Sequence, residues 1–277
     1  MNSPVLKVLS GSALILGISL FTFSCNKNPF TAPKSDTTVV VRPRVPVGYT
    51  LVWADEFNGT GVDTTKWNLS HGNPGVNNEK EFYQAANATV AGGNLVITAK
   101  HDSMGGQPYT SAKLDTYGKF SMTYGRIEAR IQLPQFTGSW PAFWMLGTNI
   151  NTVGWPNCGE TDIMEHVNAT NLIYATIHWN SGGGAAQYGL NTPTTPQNFH
   201  VYAVNWTKDS LMFYVDSTLY MTANIHNNVN NTGAFQNPFY MILNLAVAGD
   251  FPGQAVDNAA LPMSMLVDYV RVYTIKP

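Results

Sequence analysis

Charge is scarce in this chain. Of its 277 residues only 12% are Asp, Glu, Lys or Arg, the net charge is −2, and Lys plus Arg number 15 with no basic run among them. An electrostatic grip on a phosphate backbone needs clustered cations, so no nucleic-acid partner is expected. Cysteine is scarcer still. Cys25 and Cys158 are the only two, and a bridge between them would tie the extreme N-terminus to an internal strand, so each is read on its own. No Cys/His cluster has metal-site spacing, no fixed-period repeat is present, and no long stretch carries a helical apolar period.

What is present is a series of short apolar or alternating runs punctuated by Gly, Pro and Asn. Residues 95–99, 118–121, 126–133, 142–146, 173–179, 200–206, 211–215, 239–246 and 265–273 read as strands. Regularly interrupted strands without helices predict an all-β sandwich or barrel, and the length suffices for one such domain with a sizeable core. Aromatic residues are abundant, with 7 Trp, 13 Tyr and 13 Phe. Core filling accounts for many of them, and a groove that holds the apolar faces of sugar rings accounts for others.

The N-terminal part belongs to export rather than to the fold. Lys7 precedes an apolar segment from Val8 to Phe23, which is short for a membrane span, and Ser24-Cys25-Asn26-Lys27 follows. This resembles a lipoprotein signal, with residues 1–24 removed and Cys25 acylated as a membrane anchor. Residues 25–47 contain Pro29, Pro33, Pro43 and Pro46 among polar side chains and read as a flexible tether. A domain over 48–277 follows. The expected location is outside the cytoplasm, lipid-anchored to an outer membrane on either face, or secreted.

The chemistry concentrates in Trp155-Pro-Asn-Cys-Gly-Glu160-Thr-Asp162-Ile-Met-Glu165-His166-Val. Acids are depleted in strands, and like charges on one strand face repel, so three within six residues need a reason. In a regular strand Glu160 and Asp162 share a face, whereas Glu165, five residues beyond Glu160, falls on the other. One extra residue absorbed in a β-bulge at Ile163-Met164 returns Glu165 to the face of the other two. Two carboxyls brought close on one surface are what a retaining glycosidase uses, one as nucleophile and one as acid/base.

The stretch Glu160-Thr-Asp162-Ile-Met-Glu165 resembles the Glu-x-Asp-x-x-Glu signature of glycoside hydrolase family 16, and the lead-in Gly154-Trp-Pro-Asn-Cys-Gly159 is similar to that of its laminarinases. The resemblance covers roughly residues 49–275. It implies a two-sheet β-jelly-roll sandwich with a concave sugar cleft, and endo-hydrolysis of the β-1,3 bonds of laminarin-type glucans with retention of configuration. Glu160 is then the nucleophile, Glu165 the acid/base and Asp162 the group between them. Mixed-linkage β-1,3-1,4-glucan or a galactan such as agarose stands as the alternative substrate, and a non-catalytic glycan-binding surface lipoprotein as the alternative class. No cofactor is implied for catalysis, and a monomer is expected.

The same resemblance carries further residues. It implies that Trp140 and Trp155 line the cleft, whereas Trp144 is expected to pack inside. Glu128 and Arg130, in the alternating run Arg126-Ile-Glu-Ala-Arg130, are expected to face the cleft from a strand beside the acidic one. His178 is expected to orient Glu165 or to contact the sugar beyond the scissile bond, with Trp179 altering the shape of that side. Asn78 and Glu79 are expected to reach the sugar from a loop, and Phe251 to stand where a Trp is usual. Cys158 reads as a small buried residue. A structural Ca²⁺ away from the cleft is implied, held by Glu56, the Gly93 carbonyl and Asp268, since oxygen donors suit that ion.

Overall fold

The computed structural model describes residues 46–275; the export signal, Cys25 and the tether up to residue 45 lie outside the described residues. Two antiparallel sheets pack face to face. One runs in the spatial order β12 (Ala185–Pro193), β11 (Leu172–Asn180), β10 (Glu160–Glu165), β9 (Ser139–Gly147), β16 (Phe239–Val247), β7 (Lys113–Asp115) and β2 (Asn68–Leu69). The other runs β15 (Thr218–Asn224), β14 (Ser210–Val215), β13 (His200–Trp206), β8 (Gly125–Gln132), β17 (Met263–Ile275), β5 (Asn94–Ala99) and β4 (Ala88–Ala91), with β1 (Tyr49–Asp55) also paired to β17. β3 (Glu81–Tyr83) and β6 (Tyr109–Ser111) make a short parallel pair beside them. This is the two-sheet all-β sandwich that the strand pattern and the resemblance predict.

Period-2 alternation builds the interior. Ile127, Ala129 and Ile131 of β8, Leu95 and Ile97 of β5, and Ile173, Ala175 and Ile177 of β11 are all buried and belong to one apolar core between the sheets. Residues of the opposite parity face outward. On β11 these are Tyr174, Thr176 and His178, each only partly buried. The run 118–121 is not a strand: Tyr117–Lys119 forms a turn after β7. Several strands escape the sequence reading, the longest of them β12 and β15. Most of β12 is exposed at a sheet edge, so it has no buried face to impose an apolar alternation.

The β8 register corrects the expectation for Glu128 and Arg130. β8 pairs with β13 and β17 in the sheet opposite the acidic strand, and the neighbours of β10 are β9 and β11. Because Ile127, Ala129 and Ile131 enter the core, the alternate side chains point to the far surface, away from any cleft over β10. There Glu128 accepts hydrogen bonds from Arg126 Nε at 2.7 Å and from Tyr273 Oη at 3.1 Å. Arg130 pairs with Asp268 at 2.7 Å and lies over the Phe199 ring. Which sheet recruits a strand is a long-range choice that the strand's own alternation does not contain.

The carboxylates named for Ca²⁺ lie on the same sheet and are already engaged. Both oxygens of Glu56 accept from Arg271, at 2.8 and 2.7 Å, and Asp268 accepts from Arg130. Gly93 occupies a left-handed turn between β4 and β5. Each of the two acids thus has a guanidinium partner, which a Ca²⁺ ion drawing on them would have to displace.

The buried Glu128–Arg126 pair gives a test of this placement. Glu128→Gln leaves the Arg126 charge without its counter-ion in a largely desolvated site, which is expected to cost about 3 kcal/mol in chemical denaturation. Catalytic turnover by the folded fraction should be unchanged; a selective loss of turnover would return Glu128 to the cleft.

Candidate active site

The register of β10 breaks between Asp162 and Glu165 against both neighbours. Ile163 and Met164 are consecutive, yet both are fully buried in the inter-sheet core. Two successive inward residues are the mark of a bulge, and the extra one brings Glu165 back to the outer face. Transverse rows then place the acids. Glu160 lies between Leu146 and His178, Asp162 between Trp144 and Thr176, and Glu165 between Ala142 and Tyr174. Gly159 turns the chain into this strand with φ of +77°, and a Cβ there would come within 2.9 Å of the Phe239 ring. That turn excludes any larger residue before Glu160.

A groove of about 960 Å³ runs across this face and contains all three carboxyls. Trp155 and Trp140 stand at its walls, and each gives its indole N–H to one acid: Trp155 Nε1 to Glu160 Oε2 and Trp140 Nε1 to Glu165 Oε1, both at 2.9 Å. His178 lines the groove with its Nε2 at 3.2 Å from Asp162 Oδ2, so its partner is Asp162 rather than Glu165. That contact is off-axis for a hydrogen bond, and Oδ2 has no other donor. Phe251 reaches in edge-on to both Trp140 and Tyr174. Trp155 is 49% exposed and Phe251 42%, large areas of aromatic surface left facing solvent for a ligand to cover.

Other expectations are displaced. Trp144 lines the groove and donates to Asn244 Oδ1 at 2.8 Å, because it lies four residues from Trp140 on one strand and so shares its face. Trp179, one residue past His178, takes the opposite face, is buried, and donates to the Asn230 carbonyl. Asn77 and Glu79 line the groove, whereas Asn78 does not; its side chain crosses to Asp250 at 2.7 Å and ties two loops together. Cys158 is fully buried, and burial with the nearby Glu160 charge pushes its thiol up to about 11, which suits a structural role.

Sequence reasoning missed Lys113, Tyr83, Asn244 and Gln187. Lys113 lies in the groove with its ammonium 5.0 Å from the Trp144 ring, and burial lowers its pKa. Gln187 pairs across from His178 on the overlooked edge strand β12. Asn244 and Tyr83 share a hydrogen bond at 3.1 Å beneath Trp144. For Lys113 the parity of a three-residue strand was too short a signal. For Asn244 a wholly buried strand shows no alternation to read.

Burial sets the electrostatics. It pushes Glu160 up to about 8, with the Asp162 charge second and His178 and the Trp155 N–H opposing. Burial likewise pushes Glu165 up to about 7, while the Trp140 hydrogen bond pulls it back. Asp162 is held well above the ordinary carboxylate range by burial and then by Glu165. Three such groups cannot all be charged together, so the cluster retains a proton near neutrality and titrates as a unit. Both glutamates titrate higher in the fold than their ordinary 4.5. Their neutral forms are therefore the stabilised ones, full stability is present below that value, and stability is lost as pH rises through about 7 to 8. Glu160→Gln should therefore raise the melting temperature at about pH 9 and leave it nearly unchanged at about pH 4, by calorimetry at both values. Equal shifts at the two would contradict this electrostatic picture.

Comparison with known proteins agrees with the site. The model of glycosyl hydrolases family 16 matches residues 75–271. A beta-glucanase from Rhodothermus marinus is 42% identical over 243 residues, which cover 80% of this chain and 84% of that protein. The alpha subunit of clotting factor G from Tachypleus tridentatus is 43% identical over 230 residues, 80% of this chain, and the chain spans only 34% of that longer protein. The crystal structure of a laminarinase from Flavobacterium sp. UMI-01 superposes with a TM-score of 0.75 at 40% identity, covering 81% of this chain and all of that one. With the family match spanning most of the chain and the bulged acidic strand at the centre of its groove, this protein belongs to glycosyl hydrolase family 16.

Proposed function

We propose that the chain hydrolyses internal β-1,3-glucosidic bonds of laminarin-type glucans with retention of configuration. The observation that carries this reading is the bulge, which sets Glu165 on the groove face beside Glu160 with Asp162 between them. Similarity to a laminarinase and a beta-glucanase supports the substrate. A groove walled by indoles suits a polysaccharide, whose ring faces are apolar and whose edges are hydroxylated.

In the first half-reaction protonated Glu165 gives its proton to the glycosidic oxygen as Glu160 attacks the anomeric carbon. The glycosidic bond breaks, a glycosyl–Glu160 ester forms, and the aglycone leaves with the proton. In the second, Glu165 takes a proton from water, the hydroxyl attacks the anomeric carbon from the side the aglycone left, opposite Glu160, and Glu160 departs as carboxylate. Attack requires Glu160 to be ionised although its environment raises its pKa. Asp162 resolves this conflict by holding the proton of the pair at the moment of attack, while the Trp155 N–H stabilises the Glu160 charge. The Trp140 N–H holds Glu165 in place for its two proton transfers.

Incubation with laminarin, lichenan and agarose should release reducing ends fastest from laminarin, and NMR of the early products should show the β anomer. Glu160→Gln and Glu165→Gln should each lower kcat by roughly 10³-fold or more. An initial α anomer, or near-full activity of Glu160→Gln, would overturn the assignment.

We also propose that the protein is exported and acylated at Cys25, with the residues that follow serving as its tether. The apolar segment from Val8 to Phe23 ending at Ser24-Cys25 supports this. Cells fed an alkyne-tagged fatty acid should label the full-length protein and not its Cys25→Ser variant; equal labelling of both would rule out this anchor.

A further inference from the structure

The active-site acids and His178 form a donor set that the hydrolytic mechanism does not exhaust. One ligand atom each from Glu160, Asp162 and His178 lie within 4.8 Å of one another, the one such group of three or more among the described residues. Independently, Asp162 is 3% exposed, and its Oδ2, directed at His178, has no hydrogen-bond donor. A buried, unpaired carboxylate oxygen is an unmet demand for positive charge or a donor.

We infer that Glu160, Asp162 and His178 form a binding site for a divalent transition cation, Zn²⁺ in particular, whose occupancy blocks the groove. An imidazole nitrogen with two carboxylate oxygens is a ligand set for Zn²⁺ rather than for Mg²⁺ or Ca²⁺, which favour oxygen alone. Zn–N and Zn–O bonds of about 2.0 to 2.2 Å at tetrahedral angles place ligand atoms about 3.4 Å apart. Asp162 Oδ2 and His178 Nε2 already stand at that separation, 3.2 Å apart, and Glu160 completes the set by turning its carboxylate toward them. Trp155, the hydrogen-bond partner of Glu160, is half exposed and free to follow that rotation. The open groove above the acids leaves room for water in the remaining position. Binding displaces the proton held between the carboxyls to solvent and engages both the proposed nucleophile and the group beside it. Glu165, tied to Trp140, stays outside the set. The inhibition follows from the proposed roles of the acids, whereas binding itself does not depend on them.

The test uses the full chain, freed of metal by a chelator, titrated with ZnCl₂ by calorimetry without glucan and followed by thermal shift. One ion per chain should bind and raise the melting temperature, MgCl₂ should not reproduce this, and EDTA should reverse it. Inhibition of laminarin hydrolysis should be competitive. His178→Gln and Asp162→Asn should each weaken Zn²⁺ binding at least about 10-fold. The exposed pairs His200–Asp216 and His226–Asp209 are the obvious rival sites, so Zn²⁺ binding that survives unchanged in both variants overturns the assignment, as does absence of binding. Since binding is read without substrate, a protein that binds Zn²⁺ here but leaves laminarin intact would sink the proposed activity and spare the metal site.

Discussion

One extra residue in the strand Glu160–Glu165 determines the rest of the groove. A regular strand would send Glu165 inward, where an unpaired carboxyl in an apolar core would be severely penalised. The bulge exchanges that outcome for two consecutive core residues, Ile163 and Met164, which bury apolar surface in the same step. The distortion is therefore held in place by packing on one side of the sheet while it arranges chemistry on the other. The rows of β9 and β11 on either side complete the constellation without distortion of their own. Ordinary alternation brings Trp140, Trp144, Thr176 and His178 to the same surface.

The second constraint is the desolvation of three neighbouring acids. Burial and mutual repulsion both favour neutral forms, and indole N–H donors on Glu160 and Glu165 partly oppose them. Each glutamate has a tryptophan of its own. The arrangement ties substrate-facing aromatic surface to the ionisation of the acids, so that an indole in this groove both presents a ring and holds a carboxylate oxygen. His178 adds polarity next to Asp162 without a well-aligned hydrogen bond, which keeps that oxygen under-satisfied. The opposite sheet behaves otherwise. Its acids Glu56, Glu128 and Asp268 each meet an arginine. Paired acids on one surface and unpaired, clustered acids on the other separate the structural face from the chemical one.

Much of this is legible in the sequence. The spacing of Glu160, Asp162 and Glu165 demanded the bulge, because period 2 allows no other way to bring three acids to one face. Trp140, Trp155 and His178 line the groove, although His178 meets Asp162 and not Glu165. The failures share a cause. For Glu128 and Arg130 the alternation shows their common face but not which sheet takes the strand. Trp144 faces the groove, as its parity with Trp140 dictates and against the inward packing that the resemblance implies. Asn78 lies in a loop whose shape is set by Asp250, 172 residues away.

Sequence alone determined local periodicity: strand runs, the parity of side chains within each run, the bulge, and the acids at its two ends. These depend on interactions between residues a few positions apart, and the pleat makes them predictable. Tertiary structure decided which strands lie side by side, and with that which of two outward faces bears the groove. It decided that Lys113, Asn244 and Gln187 arrive from distant strands, and that burial raises the pKa of the acids. Strand pairing is settled by the joint burial of the whole core, a sum over contacts far apart in the chain, and no single stretch encodes it.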